Sequence, residues 1–188
     1  MYNKKIFIVV GMHRSGTSLV TNCLKSFGLK LSENLVPCGP DNPDGFFEDS
    51  EIVRFNSQLE EILSRSHMTP SSVLPLPEGW QADPAISSIS ANIKDYLSAA
   101  VDENSPFLLK DPRICNLLPL YIQIFGELKV RPVIIFVNRQ PASVVRSKSN
   151  RDDLDPSIVE LQWQLANFVA LDTIFKNSVD VCFVNFET

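Results

Sequence analysis

The stretch IFIVVGMHRSGTSL, residues 6–19, narrows the folds open to this chain more than any other. Residues 6–10 are apolar throughout and lack the polar alternation of a half-exposed strand. They predict a strand buried on both faces, as in a parallel sheet covered by helices. Residues 11–16 predict a tight loop between two glycines. Residues 17–27 predict a helix with Leu19, Val20, Cys23, Leu24 and Phe27 on its buried face and Gly28 as its stop. Such a strand–loop–helix turns backbone N–H groups toward an anion at the helix start. Ser15, Thr17 and Ser18 add hydroxyl donors there.

Gly11 and Gly16 stand at the spacing of the phosphate-binding G-x-x-x-x-G-K-[ST] loop. Thr17 occupies the lysine position, and an arginine, Arg14, lies inside the loop. A nucleotide hydrolase of this type needs the lysine for the outer phosphates and a neighbouring Ser or Thr for Mg²⁺. Ser18 keeps the metal-ligand position, but the missing lysine disfavours a P-loop kinase or ATPase.

The remaining pattern extends the same architecture. Helices are predicted over 51–65, over 84–101 with Pro84 in the first turn, over 117–128 and over 141–150. A longer helix follows Asp155-Pro156, an N-cap and first helical position, and runs to about 176. Further strands are predicted over 107–109, 133–137 and 181–184. The segments 29–47 and 69–81 are irregular, and the second, rich in proline, suits a lid. The order predicts one α/β domain over 1–188, a three-layer P-loop NTPase-like fold with a central parallel sheet and helices on both faces.

Ligands of such sheets sit beyond the carboxyl ends of the strands. Arg14, Lys110 and Arg139 each follow a predicted strand, which places three cations on one edge. The chain as a whole is acidic, with a net charge of -5, so a nucleic-acid partner is not expected. Residues 131–151 run against that balance, with Arg131, Arg139, Arg146, Lys148 and Arg151 and no acid. A local anion site in an acidic protein points to a small ligand. Cys23, Cys38, Cys115 and Cys182 are dispersed, which reads as free thiols in a reducing, cytoplasmic setting. With His13 and His67 as the only histidines, both read as polar surface groups, no metal site is expected. No apolar run approaches the length of a membrane span.

GMHRSGTSL resembles the 5′-phosphosulfate loop of the PAPS-dependent sulfotransferases, whose donor is 3′-phosphoadenosine-5′-phosphosulfate. FVNRQPASVVRSKSNR resembles the same family's 3′-phosphate site, a strand-terminal Arg and a helical Ser in an R-x-P-x-x-x-x-x-S arrangement, here Arg139, Pro141 and Ser147. LLKDPR resembles the K-D-P segment of the tyrosylprotein branch. The resemblance is to the bacterial sulfotransferase-like proteins and the glycan and tyrosylprotein branches. The histidine of the phenol and steroid branch, two residues after the lysine, is replaced by Pro112.

The resemblance implies transfer of a sulfuryl group from PAPS to an acceptor hydroxyl, a carbohydrate by preference, with PAP as product and no metal. It assigns donor binding to Arg14, Ser15, Gly16, Thr17, Ser18, Arg139 and Ser147. It assigns transition-state charge to Lys110, with Arg14 also in a catalytic role, and the acceptor proton to Glu48. Burial beside Phe46 and Phe47 is expected to raise the proton affinity of Glu48. Arg113 either holds an acidic acceptor or pairs with Asp111 or a helix end. Family members continue past a strand like VCFVNFET into further helices and a G-x-x-G loop. The domain is therefore expected to lack that C-terminal part, which leaves a nucleotide-binding module without turnover as a competing reading.

Overall fold

The computed structural model describes residues 4–40, 42–103 and 106–187; Thr188, where the predicted domain ends, lies outside them. The strands are β1 (Lys4–Val10), β2 (Phe107–Lys110), β3 (Val130–Asn138) and β4 (Asp180–Asn185). The helices are α1 (Thr17–Ser26), α2 (Ser50–Ile62), α3 (Pro84–Glu103), α4 (Ile114–Leu128), α5 (Pro141–Asp152) and α6 (Pro156–Lys176). All pairings are parallel, in the order β2-β1-β3-β4. The architecture is α/β, a four-stranded parallel sheet with helices on both faces. The register sets Ile8 beside Leu109 and Ile134, so the carboxyl ends of β1, β2 and β3 share one edge.

The two helical layers are unequal. Ile6, Ile8, Val10, Ile134 and Phe136 face a large core shared with α2, α3, α4, α5 and α6. Val9, Leu108, Ile135 and Val137 face the other side, where Val20 and Leu24 of α1 pack. The predicted buried face of α1 is therefore corrected. Val20 and Leu24 meet the sheet, but Leu19, Cys23 and Phe27 are exposed, Phe27 at 86%. Periodicity marks an apolar face without saying how wide the surface opposite it is. A lone helix on four strands covers only what it lies on.

Some boundaries also move. Strand β3 extends down to Val130 through Pro132. Pairing with β4 starts only at Val133, so Pro132 lies where β3 has a strand on one side only, a position that tolerates proline. Helix α4 starts at Ile114 and carries Pro119 inside it. A turn at Asp111, whose carbonyl accepts from Ile114 N at 3.0 Å, launches the helix ahead of the proline. Two short 3-10 turns, Pro70–Val73 and Trp80–Ala82, interrupt the irregular stretch that starts at residue 69. Gln162 of α6 ties the first of them down through Ser72 Oγ at 2.6 Å. Asp155 caps α6 as the sequence predicts, accepting from Ser157 N at 2.8 Å.

Candidate functional site

The glycine loop takes its shape from two constraints. At Gly11 a Cβ would stand 2.6 Å from the carbonyl oxygen of Val137, so only glycine lets the loop leave the sheet this close to β3. Gly16 has φ 87°, and a Cβ there would meet the Phe186 ring at 2.0 Å. Arg14 also adopts a left-handed conformation, with φ 68°. The loop delivers α1 with Gly16 as N-cap, no side-chain cap and no acid in the first turn. The N–H groups of that turn have no intrahelical acceptor, and the helix dipole adds partial positive charge.

Around this helix start the predicted donor residues converge from separate parts of the chain. Arg14 Nε donates to Ser147 Oγ at 2.9 Å. Arg139 donates from an η-nitrogen to the carbonyl oxygen of Arg14, also at 2.9 Å. Thus the loop, the end of β3 and the middle of α5 meet at one point. Arg139 stacks over Phe186, 4.9 Å from the ring centroid, and its Nε lies 3.3 Å from Glu187 Oε1. Glu187 is anchored by Gln140 N at 2.7 Å. The contact of Phe186 with both Gly16 and Arg139 carries no signature of its own; its place just after β4, on the ligand edge, was the available signal.

Lys110 ends β2 and is almost fully buried, at 2% exposure. Its Nζ donates to Glu48 Oε1 at 2.6 Å, to the Phe46 carbonyl at 3.0 Å and to Ser18 Oγ at 3.3 Å. Lys110, Glu48 and Ser18 therefore form one cluster, and Lys110 does not pair with Asp111. Asp111 binds Arg113, at 2.9 Å through an η-nitrogen, and accepts from Asn56 Nδ2 at 2.9 Å. Burial raises the proton affinity of the Glu48 carboxyl and outweighs the opposing pull of Lys110. Asp49 caps α2 by accepting from the backbone of Glu51 and Ile52, so the two neighbouring acids divide into a helix cap and a site group.

Of the predicted site residues, Arg14, Gly16, Thr17, Ser18, Glu48, Lys110 and Arg139 line one cleft of about 460 Å³, whereas Ser15 and Ser147 do not. Its wall includes Arg14, Lys110, Arg113, Arg139 and Arg151 against one carboxylate, Glu48. The basic run over 131–151 does not act as a block. Arg131 pairs with Asp180 at the opposite end of β3, and Lys148 is buried against Asp152 at 2.6 Å.

The expectation that both histidines are surface groups is corrected. Their rings stack, with centroids 4.5 Å apart, on the cleft wall. Burial, then the neighbouring His67 and the cations around it, push the His13 imidazole well below its ordinary range. His67 Nδ1 lies 3.2 Å from Glu60 Oε2. Glu60 also faces Arg113 Nε at 3.7 Å.

Fold and site together define an α/β protein with a cation-lined cleft at the carboxyl ends of a parallel sheet. No family model and no curated protein matches the chain. Among solved structures, an uncharacterized protein from Eubacterium ventriosum ATCC 27560 aligns over 97% of this chain and 90% of its own, at 12% identity and a TM-score of 0.45. Among the described residues, no group of three or more His, Cys, Asp or Glu is arranged to hold a metal ion. No described helix is long and apolar enough to cross a membrane.

Proposed function

We propose that this protein transfers a sulfuryl group from PAPS to an acceptor hydroxyl, with a carbohydrate as the preferred acceptor. The observation that carries the reading is the position of the Lys110 ammonium, 3.3 Å from Ser18 Oγ. In a P-loop nucleotide hydrolase that hydroxyl would hold Mg²⁺. Here a side-chain cation from β2 stands beside it, where it would meet charge developing on a departing oxygen.

The residues fit the donor. Gly11 lets the loop pass close to β3, Gly16 takes the left-handed turn that starts α1, and the uncapped first turn of α1 suits the 5′-phosphosulfate. Arg139 and Ser147 would hold the 3′-phosphate, since a guanidinium group forks onto phosphate oxygens and a hydroxyl adds one further bond, and Arg14 of the loop is tied to both. When bound, PAPS supplies an activated sulfuryl group. Lys110 neutralises the oxygen that leaves with the nucleotide. Glu48 holds Lys110 in place, and becomes available to take a proton only when Lys110 turns to the donor.

Thermal unfolding in the presence of PAP, and separately of ATP with Mg²⁺, tests the reading. At a hundredfold excess over Kd, a ligand of the native state adds about 2.7 kcal/mol. Stabilisation by PAP and transfer of radiolabelled sulfate to a panel of hydroxyl acceptors are expected. Stabilisation by ATP-Mg²⁺ alone would sink it. PAP binding with no transfer to any acceptor would favour a nucleotide-binding module without turnover.

A further inference from the structure

One firmly held residue of the cleft has no part in the donor site. His67 sits in an irregular turn, yet it is fixed from several sides. Lys148 Nζ, from α5, and Gln162 Nε2, from α6, donate to its carbonyl oxygen at 3.2 and 3.1 Å. Both clamps are buried, with Lys148 at 0% exposure. Glu60, from α2, holds Nδ1 at 3.2 Å, and His13 stacks on the ring face. An exposed loop histidine needs none of this; a group that must present one atom in one direction does.

The chemistry of the Glu60 contact fixes which atom that is. An ionised carboxylate only accepts, so against it Nδ1 carries the hydrogen, and in the neutral ring Nε2 then keeps the lone pair. Nε2 finds no hydrogen-bond partner among the described residues, and it is not sealed from solvent as His13 Nε2 is. The residue lines the same cleft as Lys110 and Glu48. Glu48, in contrast, has Oε1 on Lys110 at 2.6 Å and Oε2 facing an η-nitrogen of Arg113 at 3.8 Å.

We propose that His67, oriented by Glu60, takes the acceptor proton, and that Glu48 serves as the counter-ion of Lys110. The assignment rests on the sulfuryl-transfer reading for the reaction. The acceptor O–H gives its proton to His67 Nε2 while its oxygen bonds to sulfur. The bond from sulfur to the bridging oxygen of the donor breaks, and PAP leaves with that electron pair. The imidazolium then returns its proton to solvent. Glu60 is a positioning residue that also stabilises the imidazolium. Glu60 from α2 contacts the ring and itself faces Arg113, before α4; the stacked His13 ring feels Arg113 and, from α5, Lys148 and Arg151, both of which pair with Asp152.

Two measurements test this together. Imidazole nitrogen chemical shifts of the free protein report the tautomer without any turnover; a bare Nε2 and a protonated Nδ1 are expected, with the preference lost in Glu60→Gln. A protonated Nε2 on neutral His67 would overturn the proposal. In transfer assays, His67→Gln is expected to lower kcat by about 10²–10⁴-fold. It should also abolish the acid limb of the pH–rate profile and leave PAP affinity unchanged. Glu60→Gln should lower kcat and displace that limb, with partial rescue by Glu60→Asp. Glu48→Gln should lower the rate and keep the limb. A His67→Gln protein that binds PAP and retains the wild-type pH profile would refute the proposal. A wild-type chain that fails to bind PAP would end the donor reading instead, and the tautomer would still decide the dyad.

Discussion

Removing the ammonium of Lys110 should damage the fold as well as the site. Lys110 has a side-chain exposure of 2% and Glu48 of 11%, so water screens their contact poorly. In Lys110→Met the Glu48 carboxylate keeps, among the described residues, only Arg113, 3.8 Å away, as a neighbouring cation, and the Phe46 carbonyl keeps only the longer bond from Ser18 Oγ at 3.4 Å. Breaking a buried ion pair from one side costs about 3–5 kcal/mol. In a chain of this length each kcal/mol moves Tm by about 2–4 °C, so a fall of roughly 6–20 °C is expected. Glu48→Gln leaves the ammonium an amide oxygen, the Phe46 carbonyl and Ser18, and should cost about 1–3 kcal/mol. The double variant should cost less than the sum, with a coupling of about 1–3 kcal/mol.

The pH dependence supplies the sign. Burial holds the Glu48 proton affinity above its unfolded value of about 4.3, and loss of Lys110 raises it further. The native state of Lys110→Met then binds that proton more tightly than the unfolded state. Its stability deficit is largest at neutral pH and narrows as pH falls toward the unfolded value. Urea unfolding of the four proteins at neutral and mildly acid pH measures both quantities. A Lys110→Met deficit below about 1 kcal/mol, or one that does not narrow on acidification, would refute the reasoning, since the pair would then behave as a solvated surface contact.

Three further outcomes follow from the geometry. Gly16→Ala meets both a left-handed backbone and the Phe186 ring, and should lose about 1–3 kcal/mol in urea unfolding; pairing it with Phe186→Ala should restore only the steric part. His13 stays neutral in the native protein while the unfolded chain protonates it below about pH 6.5, so native stability falls with pH from that point; His13→Phe should flatten this acid limb in pH-dependent thermal unfolding. Arg139→Gln removes the guanidinium that holds the Arg14 carbonyl, and should weaken PAP binding at least about tenfold by calorimetry, or about 1.4 kcal/mol.

Much of the scaffold was legible because it rests on local signals. IFIVV and VIIFV are strands in any setting that buries both faces, and Asp155-Pro156 opens a helix by its own chemistry. The shared carboxyl-end edge of a parallel sheet made the convergence of Arg14, Lys110 and Arg139 readable as well. The partners of those cations were not. Nothing near Arg14 announces that its side chain meets Ser147 and its carbonyl meets Arg139, because both contacts depend on how α5 lies against the loop. The pairing of His13 with His67 depends on α5 and α6 holding the turn at residue 67, a packing outcome with no local code. The exposed side of α1 was missed for the same reason: amphipathic spacing describes a helix, and coverage describes its neighbours.

The hold on residue 67 has a consequence for engineering. Lys148 and Gln162 grip its main-chain carbonyl, which every amino acid possesses. The mount is therefore indifferent to what is mounted. Position 67 behaves as a socket, into which a side chain of another chemistry can be placed with its starting direction already set. Acids, amides and thiols introduced there would face the same cleft, so one scaffold can be used to compare reactive groups with the backbone held constant.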